Sequence, residues 1–276
     1  MAEIKQRRTG FIGLGSQGAP IAERMLLAGH SLTVWARRPE SAQDLVGKGA
    51  VLAQSVEDLA KTCDYVGVCV VDDAGVEDVC SKLIPALAAG SVLVIHSTIL
   101  PSTCEDLARR CAEAGIQFLD APVSGGSPAA SAGTLTVMCG GTPETFEHAL
   151  PVLQTFGSKI VHLGPAGSAQ QAKIINNSLM AANMGLAFSA LDIADKVGVD
   201  RAALSDLIKH SSGRSFGFEV FARLPTPDAF AHGAKLLLKD VELLGSMLGP
   251  DAGANALATA ALPFLDATGA TRKTDR

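Results

Sequence analysis

A chain of 276 residues with a net charge of −5 and 4% aromatic residues lacks the basic surface that a nucleic-acid-binding protein needs. Its six cysteines form no C-x-x-C pair, so we expect no metal site and predict a reducing, cytoplasmic environment. No apolar run reaches the roughly 18 residues typical of a membrane span, and we expect no membrane contact.

The first part of the chain alternates short apolar runs with helical patterns. Strands are predicted at Thr9–Gly13, Ser31–Trp35, Tyr65–Val70, Val92–Ile95 and Gln117–Asp120, with Thr134–Cys139 and Lys159–His162 as additions at the far edge. Helices are predicted between them at Ala19–Ala28, Val76–Ile84 and Ser102–Ala114. This alternation predicts a parallel, doubly wound α/β domain over residues 1–164, with helices on both faces of its sheet.

After Gly164 the strand pattern stops. Ser168–Val197 predicts one long helix without proline, with Gly198 as its C-cap and Asp200 as the N-cap of the next helix. Further helices are predicted at Arg201–His210, Ala234–Leu248 and Asn255–Ala261, and Pro263 is expected to end the last of these or to open another. Residues 165–276 are therefore predicted to be an all-helical domain that begins with a bridging helix.

A glycine-rich turn follows the first predicted strand and opens a helix, in the sequence Gly13-Leu14-Gly15-Ser16-Gln17-Gly18. The first glycine permits a tight turn, the second lets the backbone approach a pyrophosphate, and the third allows close helix–strand packing. A glycine-rich turn without a ligand is the alternative. Because strand, turn and helix occur in the required order, we predict a dinucleotide site formed by these six residues.

The end of the second predicted strand indicates which dinucleotide is bound. An NAD enzyme normally has an acidic residue here for the ribose 2′-hydroxyl, yet no acid occurs before Glu40. Arg37 and Arg38 stand there instead, and a guanidinium group suits a 2′-phosphate. We therefore predict NADP rather than NAD, with Arg37 the better candidate. The alternative is that both arginines are exposed loop charges.

Two further segments carry candidate chemistry. Ser124, Gly125 and Gly126 follow a strand, and their backbone N–H groups and hydroxyl are suited to a carboxylate, although an ordinary turn is equally consistent. Lys173 and Asn177 lie one turn apart on the long helix. A desolvated lysine can exchange a proton with a substrate oxygen while hydride moves to or from a cofactor. A lysine that extends its amine from the helix into solvent is the alternative.

These motifs, with Gly133-Thr134-Leu135-Thr136 and Lys239-Asp240, resemble the β-hydroxyacid dehydrogenase family over nearly the whole chain. The resemblance implies a Rossmann-type domain followed by a helical one, and NADP-dependent hydride transfer on a small β-hydroxy acid, semialdehyde or keto acid. It implies that Ser124, Gly125 and Gly126 contact the substrate, that Lys173 is the catalytic acid/base, and that Asn177 supports it. Further cofactor contacts are expected at Val70, Val71, Ser97, Thr98 and Lys239, the last also reaching the substrate.

Some positions depart from the family pattern. Gln17 stands where methionine is usual, Ala169 where glycine is usual, and His96 where an acid is common. A histidine at that place is expected to be structural. The segment Ser211–Phe216 is expected to line the substrate pocket, where Arg214 either binds a second carboxylate or is exposed.

Three other functions remain possible from the sequence. Imine reductases are similar to this family in fold but generally replace the lysine, so Lys173 argues against them. A catalytically silent NADP-binding protein is expected to have lost Lys173 and Asn177, and both are present. A 6-phosphogluconate dehydrogenase would be a much longer chain. The long helix and the apolar C-terminal helices predict a homodimer or homotetramer.

Overall fold

The computed structural model describes residues 7–249 and 255–271. These residues form two compact units, of which unit 1 ends at Lys173 and unit 2 begins at Ile174. The division falls inside the predicted long helix. The domain boundary between residues 164 and 165 stays a prediction.

Unit 1 is built on a sheet of nine described strands. The strands are β1 (Arg8–Ile12), β2 (Ser31–Trp35), β3 (Val51–Leu52), β4 (Tyr65–Val68), β5 (Val92–Ile95), β6 (Gln117–Asp120), β7 (Val123–Ser124), β8 (Leu135–Gly141) and β9 (Gly157–Gly164). Their order is β3-β2-β1-β4-β5-β6-β8-β7, and β9 pairs with β8. All pairs from β3 to β6 are parallel, whereas β8 runs antiparallel to β6 and β7. The strand order reverses between β1 and β4, where parallel α/β sheets form their ligand crevice.

Helices cover both faces of this sheet, as predicted. They are α1 (Gly18–Leu27), α2 (Gln43–Gly47), α3 (Val56–Thr62), α4 (Asp73–Ala86), α5 (Pro101–Glu113), α6 (Gly126–Ala132), α7 (Pro143–Leu153) and the first turn of α8 (Ser168–Val197). Successive strand residues pack into different cores: Phe11 lies in one hydrophobic cluster and Ile12 in the other. A sheet buried on both faces explains why its strands are continuous apolar runs.

The strand predictions are confirmed with small differences. The bounds of β2, β5 and β6 agree with the predicted ones. The fourth strand ends at Val68 rather than Val70, because the Val70 N–H donates to the Ser97 hydroxyl at 2.8 Å instead of joining the sheet. The patterns did not reveal the two-residue strands β3 and β7, which are too short to show a period.

Unit 2 contains helices and no strand among its described residues. Beyond α8 it contains α9 (Arg201–Lys209), α10 (Phe216–Phe221), α11 (Ala231–Leu248) and α12 (Ala256–Ala267). Asp200 caps α9 as predicted, because its side chain accepts a hydrogen bond from the Ala203 N–H at 2.7 Å. The core of unit 2 joins aromatic rings of three helices, and the ring centroids of Phe221 and Phe264 lie 5.5 Å apart.

One expectation about a helix is wrong. Pro263 neither ends nor opens a helix but lies inside α12. It is exposed, so the carbonyl oxygen that loses its partner can be hydrated. By length and composition α8 is apolar enough to span a membrane, although polar residues such as Gln170, Lys173 and Asn177 interrupt its apolar runs. This is weak support for a span, since 44% of its most apolar window is buried and core helices of soluble proteins pass the same test.

Candidate active site

The glycine-rich turn after β1 has the geometry that a dinucleotide needs. Gly13 has a φ of +97°, and a Cβ there would collide with the Cys69 carbonyl oxygen. A Cβ on Gly18 would collide with the Gly13 carbonyl oxygen, so both glycines are required by close backbone approach. A Cβ on Gly15, in contrast, would meet nothing within 4 Å. The open side of the turn is thus available to a ligand at the start of α1.

Gln17 links this turn to the Ser-Gly-Gly segment. Its Nε2 donates to the Gly126 carbonyl oxygen at 3.5 Å, the outer limit of a hydrogen bond. Ser124 ends β7 and is half-buried, whereas Gly125 and Gly126 are exposed with φ values of +131° and +71°. The two predicted ligand-binding segments are therefore neighbours in unit 1.

Arg37 and Arg38 follow β2 and are both exposed. Across residues 7–249 and 255–271, no carboxylate forms an ion pair with either guanidinium group. The hydrogen-bond donors of Arg37 and Arg38 are therefore available to a ligand. They follow the carboxyl end of β2, next to the end of β1 where the glycine turn begins.

The turns after β4 and β5 are joined to each other. The Ser97 hydroxyl accepts the hydrogen bond from the Val70 N–H, so its oxygen is engaged within the protein. Ser97 is buried, Thr98 is half-buried and Val71 is 64% exposed. Of these predicted cofactor contacts, Val71 offers the most accessible side chain.

The helix that carries Lys173 begins at Ser168, although Ala169 stands where the family usually has glycine. The side chains of Asp120 and Gln170, to which the sequence motifs assigned no role, hold the start of this helix. The Asp120 carboxylate accepts hydrogen bonds from the Gly167 and Gln170 N–H groups at 2.9 and 3.1 Å. Burial raises the pKa of Asp120 to about 6, although those backbone hydrogen bonds oppose the rise. The sequence offered only one hint, an acidic residue at the end of an apolar strand.

Lys173 is 8% exposed, so the alternative of an amine extended into solvent is not what the structure shows. One turn later, the Asn177 side chain accepts from Asn176 at 3.1 Å and donates to the Asp240 carboxylate at 2.6 Å. The Lys239 amine lies 3.2 Å from the same carboxylate. Asp240 thus orients Asn177 and balances Lys239, a role that the sequence motif did not reveal.

Two other candidates have structural partners. His96 stacks on Phe11 with 5.8 Å between ring centroids, and its Nδ1–H donates to the Ala121 carbonyl oxygen at 2.8 Å. Burial lowers the pKa of His96 to about 4, so the ring is a neutral core group. Arg214 is exposed and donates to Glu219 at 2.6 Å, while Ser215 caps α10.

One cavity lies apart from all predicted site residues. It has a volume of about 640 Å³ and lies between α5, the start of α7 and the segment before α8. Its lining is mainly apolar, and the predicted glycines, arginines and Lys173 are not part of it. Volume alone therefore does not identify the reactive site.

Both halves of the chain match known protein families. Residues 8–164 match the NAD binding domain of 6-phosphogluconate dehydrogenase. Residues 167–271 match the NAD-binding domain of NADP-dependent 3-hydroxyisobutyrate dehydrogenase. The residues around the glycine turn fit a nicotinamide dinucleotide, since Gly15 leaves open space and the arginines supply cations beside it.

Characterised proteins are similar over most of their length. A 2-(hydroxymethyl)glutarate dehydrogenase of Eubacterium barkeri is 35% identical over 78% of this chain and 73% of its own. An NAD-dependent L-serine dehydrogenase of Pseudomonas aeruginosa is 35% identical over 79% and 74%.

Solved structures extend the similarity to nearly the whole fold. A 3-hydroxyisobutyrate dehydrogenase of Mycobacterium tuberculosis with L-serine has a TM-score of 0.85 at 26% identity, covering 95% of this chain and 94% of its own. Psf3 in complex with NADP+ and 2-OPP has a TM-score of 0.84 at 29% identity, covering 95% of each chain. The chain belongs to the β-hydroxyacid dehydrogenase family, whose members are nicotinamide-dependent oxidoreductases.

Proposed function

We propose that this protein is an NADP-dependent oxidoreductase that interconverts a small β-hydroxy acid and its semialdehyde or keto acid. The observation that carries the proposal is a buried lysine, Lys173, one helical turn from an asparagine that a buried carboxylate orients.

In the reductive direction, the Lys173 ammonium group donates a proton to the carbonyl oxygen of the substrate. When bound, reduced nicotinamide supplies the hydride that the carbonyl carbon accepts. The N–H groups of Gly125 and Gly126 and the Ser124 hydroxyl bind the substrate carboxylate. Asn177, held by Asp240, hydrogen-bonds the substrate or the lysine, and Lys239, whose charge Asp240 balances, adds a further N–H donor.

The preference for NADP rests on Arg37 and Arg38. Both are exposed, neither is paired with a carboxylate in the described residues, and a planar guanidinium group matches a phosphate. The relatives point both ways, since the Pseudomonas enzyme is named NAD-dependent and Psf3 is described with NADP+. The absence of an acidic residue between Val34 and Pro39 favours NADP for this chain.

We also propose a homodimer or homotetramer in the cytoplasm. Large apolar side chains on α8, each between 49% and 68% exposed, lie on one side of the helix by helical periodicity: Ile175, Leu179, Leu186, Ile193 and Val197. Such a stripe is suited to burial against another copy. All six cysteines are free, which fits a reducing compartment. A monomeric mass in sedimentation equilibrium would contradict the proposed oligomer.

The test is the initial rate of NADPH and NADH oxidation with four substrates. They are glyoxylate, succinic semialdehyde, tartronate semialdehyde and methylmalonate semialdehyde. Lys173→Ala is expected to lower kcat by about 10²- to 10⁴-fold, the usual contribution of a general acid. Lys196→Ala is the matched control, because Lys196 is an exposed lysine of the same helix, paired with Asp192. Quenching of Trp35, the single tryptophan, reports whether each variant still binds cofactor.

The rival functions give different results. A silent NADP-binding protein would quench Trp35 fluorescence but turn over no substrate. An imine reductase would reduce cyclic imines and none of the semialdehydes. Turnover that Lys173→Ala leaves intact would remove the proposed role of the lysine.

A further inference from the structure

The first turn of α8 is fastened to the sheet by two side chains that are fully buried. Asp120, the last residue of β6, is 0% exposed and uses one carboxylate oxygen for each of two backbone N–H groups, those of Gly167 and Gln170. The carboxylate therefore takes up donors that the start of a helix otherwise leaves without partners. This fixes the helix start to the carboxyl end of β6.

Gln170 fixes the same turn to the neighbouring strand. Its side chain is 0% exposed, its Nε2 donates to the Ser97 carbonyl oxygen at 2.9 Å, and its Oε1 accepts from the Ile99 N–H at 3.2 Å. Both partners belong to the segment that follows β5. The glutamine amide offers a donor and an acceptor together, whereas methionine has no N–H or O–H donor and cannot make both bonds.

The connection reaches one strand further. Ser97 also accepts the Val70 N–H at its hydroxyl, so hydrogen bonds run from the turn after β4, through Ser97, to Gln170. Lys173 follows Gln170 by three residues, which is about 4.5 Å along the helix axis at the usual rise. Because Lys173 is this close to Gln170, a shift of the first turn of α8 also shifts the lysine.

The stability of α8 alone does not require this arrangement. A helix start can be capped at the surface, as Asp200 does for α9 with a hydrogen bond of 2.7 Å to Ala203. Burying a carboxylate costs free energy unless its partners are well placed. Asp120 and Gln170 instead hydrogen-bond the first turn of α8 to two different places, the end of β6 and the segment after β5. Together these hydrogen bonds fix the position of the turn relative to both strands.

We propose that Asp120 and Gln170 are positioning residues, which hold the first turn of α8 against the ends of β5 and β6 and thereby set where the Lys173 amine meets the substrate oxygen. The proposal rests on the proposed acid/base role of Lys173. It assigns neither residue a contact with the substrate. A displacement of about 1 Å in a reacting group can cost about 100-fold in rate.

The experiment compares Gln170→Met with Gln171→Met, the same substitution at the adjacent, exposed position of the helix. For each full-length variant, kcat, KM, the solvent deuterium isotope effect on kcat, and cofactor binding by Trp35 quenching are measured. Gln170→Met is expected to lower kcat by about 10- to 100-fold, to leave KM and the cofactor Kd within about two-fold, and to enlarge the isotope effect as proton transfer becomes slower. Gln171→Met is expected to match the wild type.

A wild-type kcat for Gln170→Met, or a lowered kcat with an unchanged isotope effect, would overturn the proposal. Gln170→Asn is measured in parallel, because its amide is one methylene shorter and cannot reach both Ser97 and Ile99 from the same backbone position. If the methionine variant does not fold, the asparagine variant decides by the same criteria. Failure of the acid/base role is distinguishable, since Lys173→Ala would then retain the wild-type kcat whatever Gln170→Met does.

Discussion

His96 is enclosed by aromatic rings, and its burial should make the protein sensitive to acid. It stacks on Phe11 and meets the edge of Phe156, with ring centroids 5.5 Å apart in the second pair. Its Nδ1–H donates to the Ala121 carbonyl oxygen, and Nε2 has no partner among the described residues. A charged imidazole therefore has no counter-ion among the described residues at this position.

The size of this stability loss in acid follows from the pKa of the His96 ring, which burial lowers from 6.5 to about 4. Between these values the unfolded chain binds a proton that the folded protein does not. Stability that is fully present above pH 6.5 is therefore lost as the pH falls towards 4. The difference corresponds to about 3 kcal/mol in total, of which about 2.5 kcal/mol is lost by pH 4.5.

The assay is urea unfolding at pH 7.5 and pH 4.5 for the wild type and His96→Asn. Asparagine keeps an N–H for the Ala121 carbonyl oxygen and does not titrate. The wild type should lose about 2.5 kcal/mol more than the variant between the two pH values. The raised pKa of Asp120 acts in the opposite direction but is common to both proteins. Parallel pH profiles for the two proteins would refute the reasoning, and His210→Asn, an exposed histidine, should leave the profile unchanged.

Three further substitutions test the cofactor and catalytic parts of the site. Arg37→Ser should raise KM for NADPH by about 10- to 100-fold and change KM for NADH by less than about two-fold, because only NADPH carries the 2′-phosphate. Gly15→Ala should weaken cofactor binding without lowering Tm, since its Cβ meets nothing within 4 Å, whereas Gly13→Ala should lower Tm. Asp240→Asn should lower kcat by about 10-fold with an unchanged cofactor Kd, because Asn177 loses its charged acceptor; a wild-type kcat would contradict this.

Much of the fold could be predicted because its signals are local. The bounds of β2, β5, β6 and α8 follow from apolar runs, glycine and capping residues within each segment. The helix α10 was not predicted, because its six residues span less than two turns; only Phe216 belonged to a predicted feature, as the last residue of the pocket-lining segment Ser211–Phe216. Pro263 misled for another reason: a proline signals a helix boundary, yet packing of Phe264 and Leu265 in the core keeps the helix continuous past it.

The site divides in the same way. The glycine turn and the Lys173–Asn177 pair could be recognised because their spacing is short and carries the chemistry. The partners that hold them come from distant positions: Asn177 bonds Asp240, 63 residues away, and Gln170 bonds Ser97, 73 residues away. Such tertiary hydrogen bonds leave no periodic pattern in one sequence.

The most direct test of the central claim is chemical rescue of Lys173→Ala. The variant should bind NADPH like the wild type and reduce the best semialdehyde at least about 100-fold more slowly. Added methylamine should then restore part of the rate, in proportion to its concentration, by supplying the missing proton donor. Wild-type turnover by Lys173→Ala without amine would contradict the account.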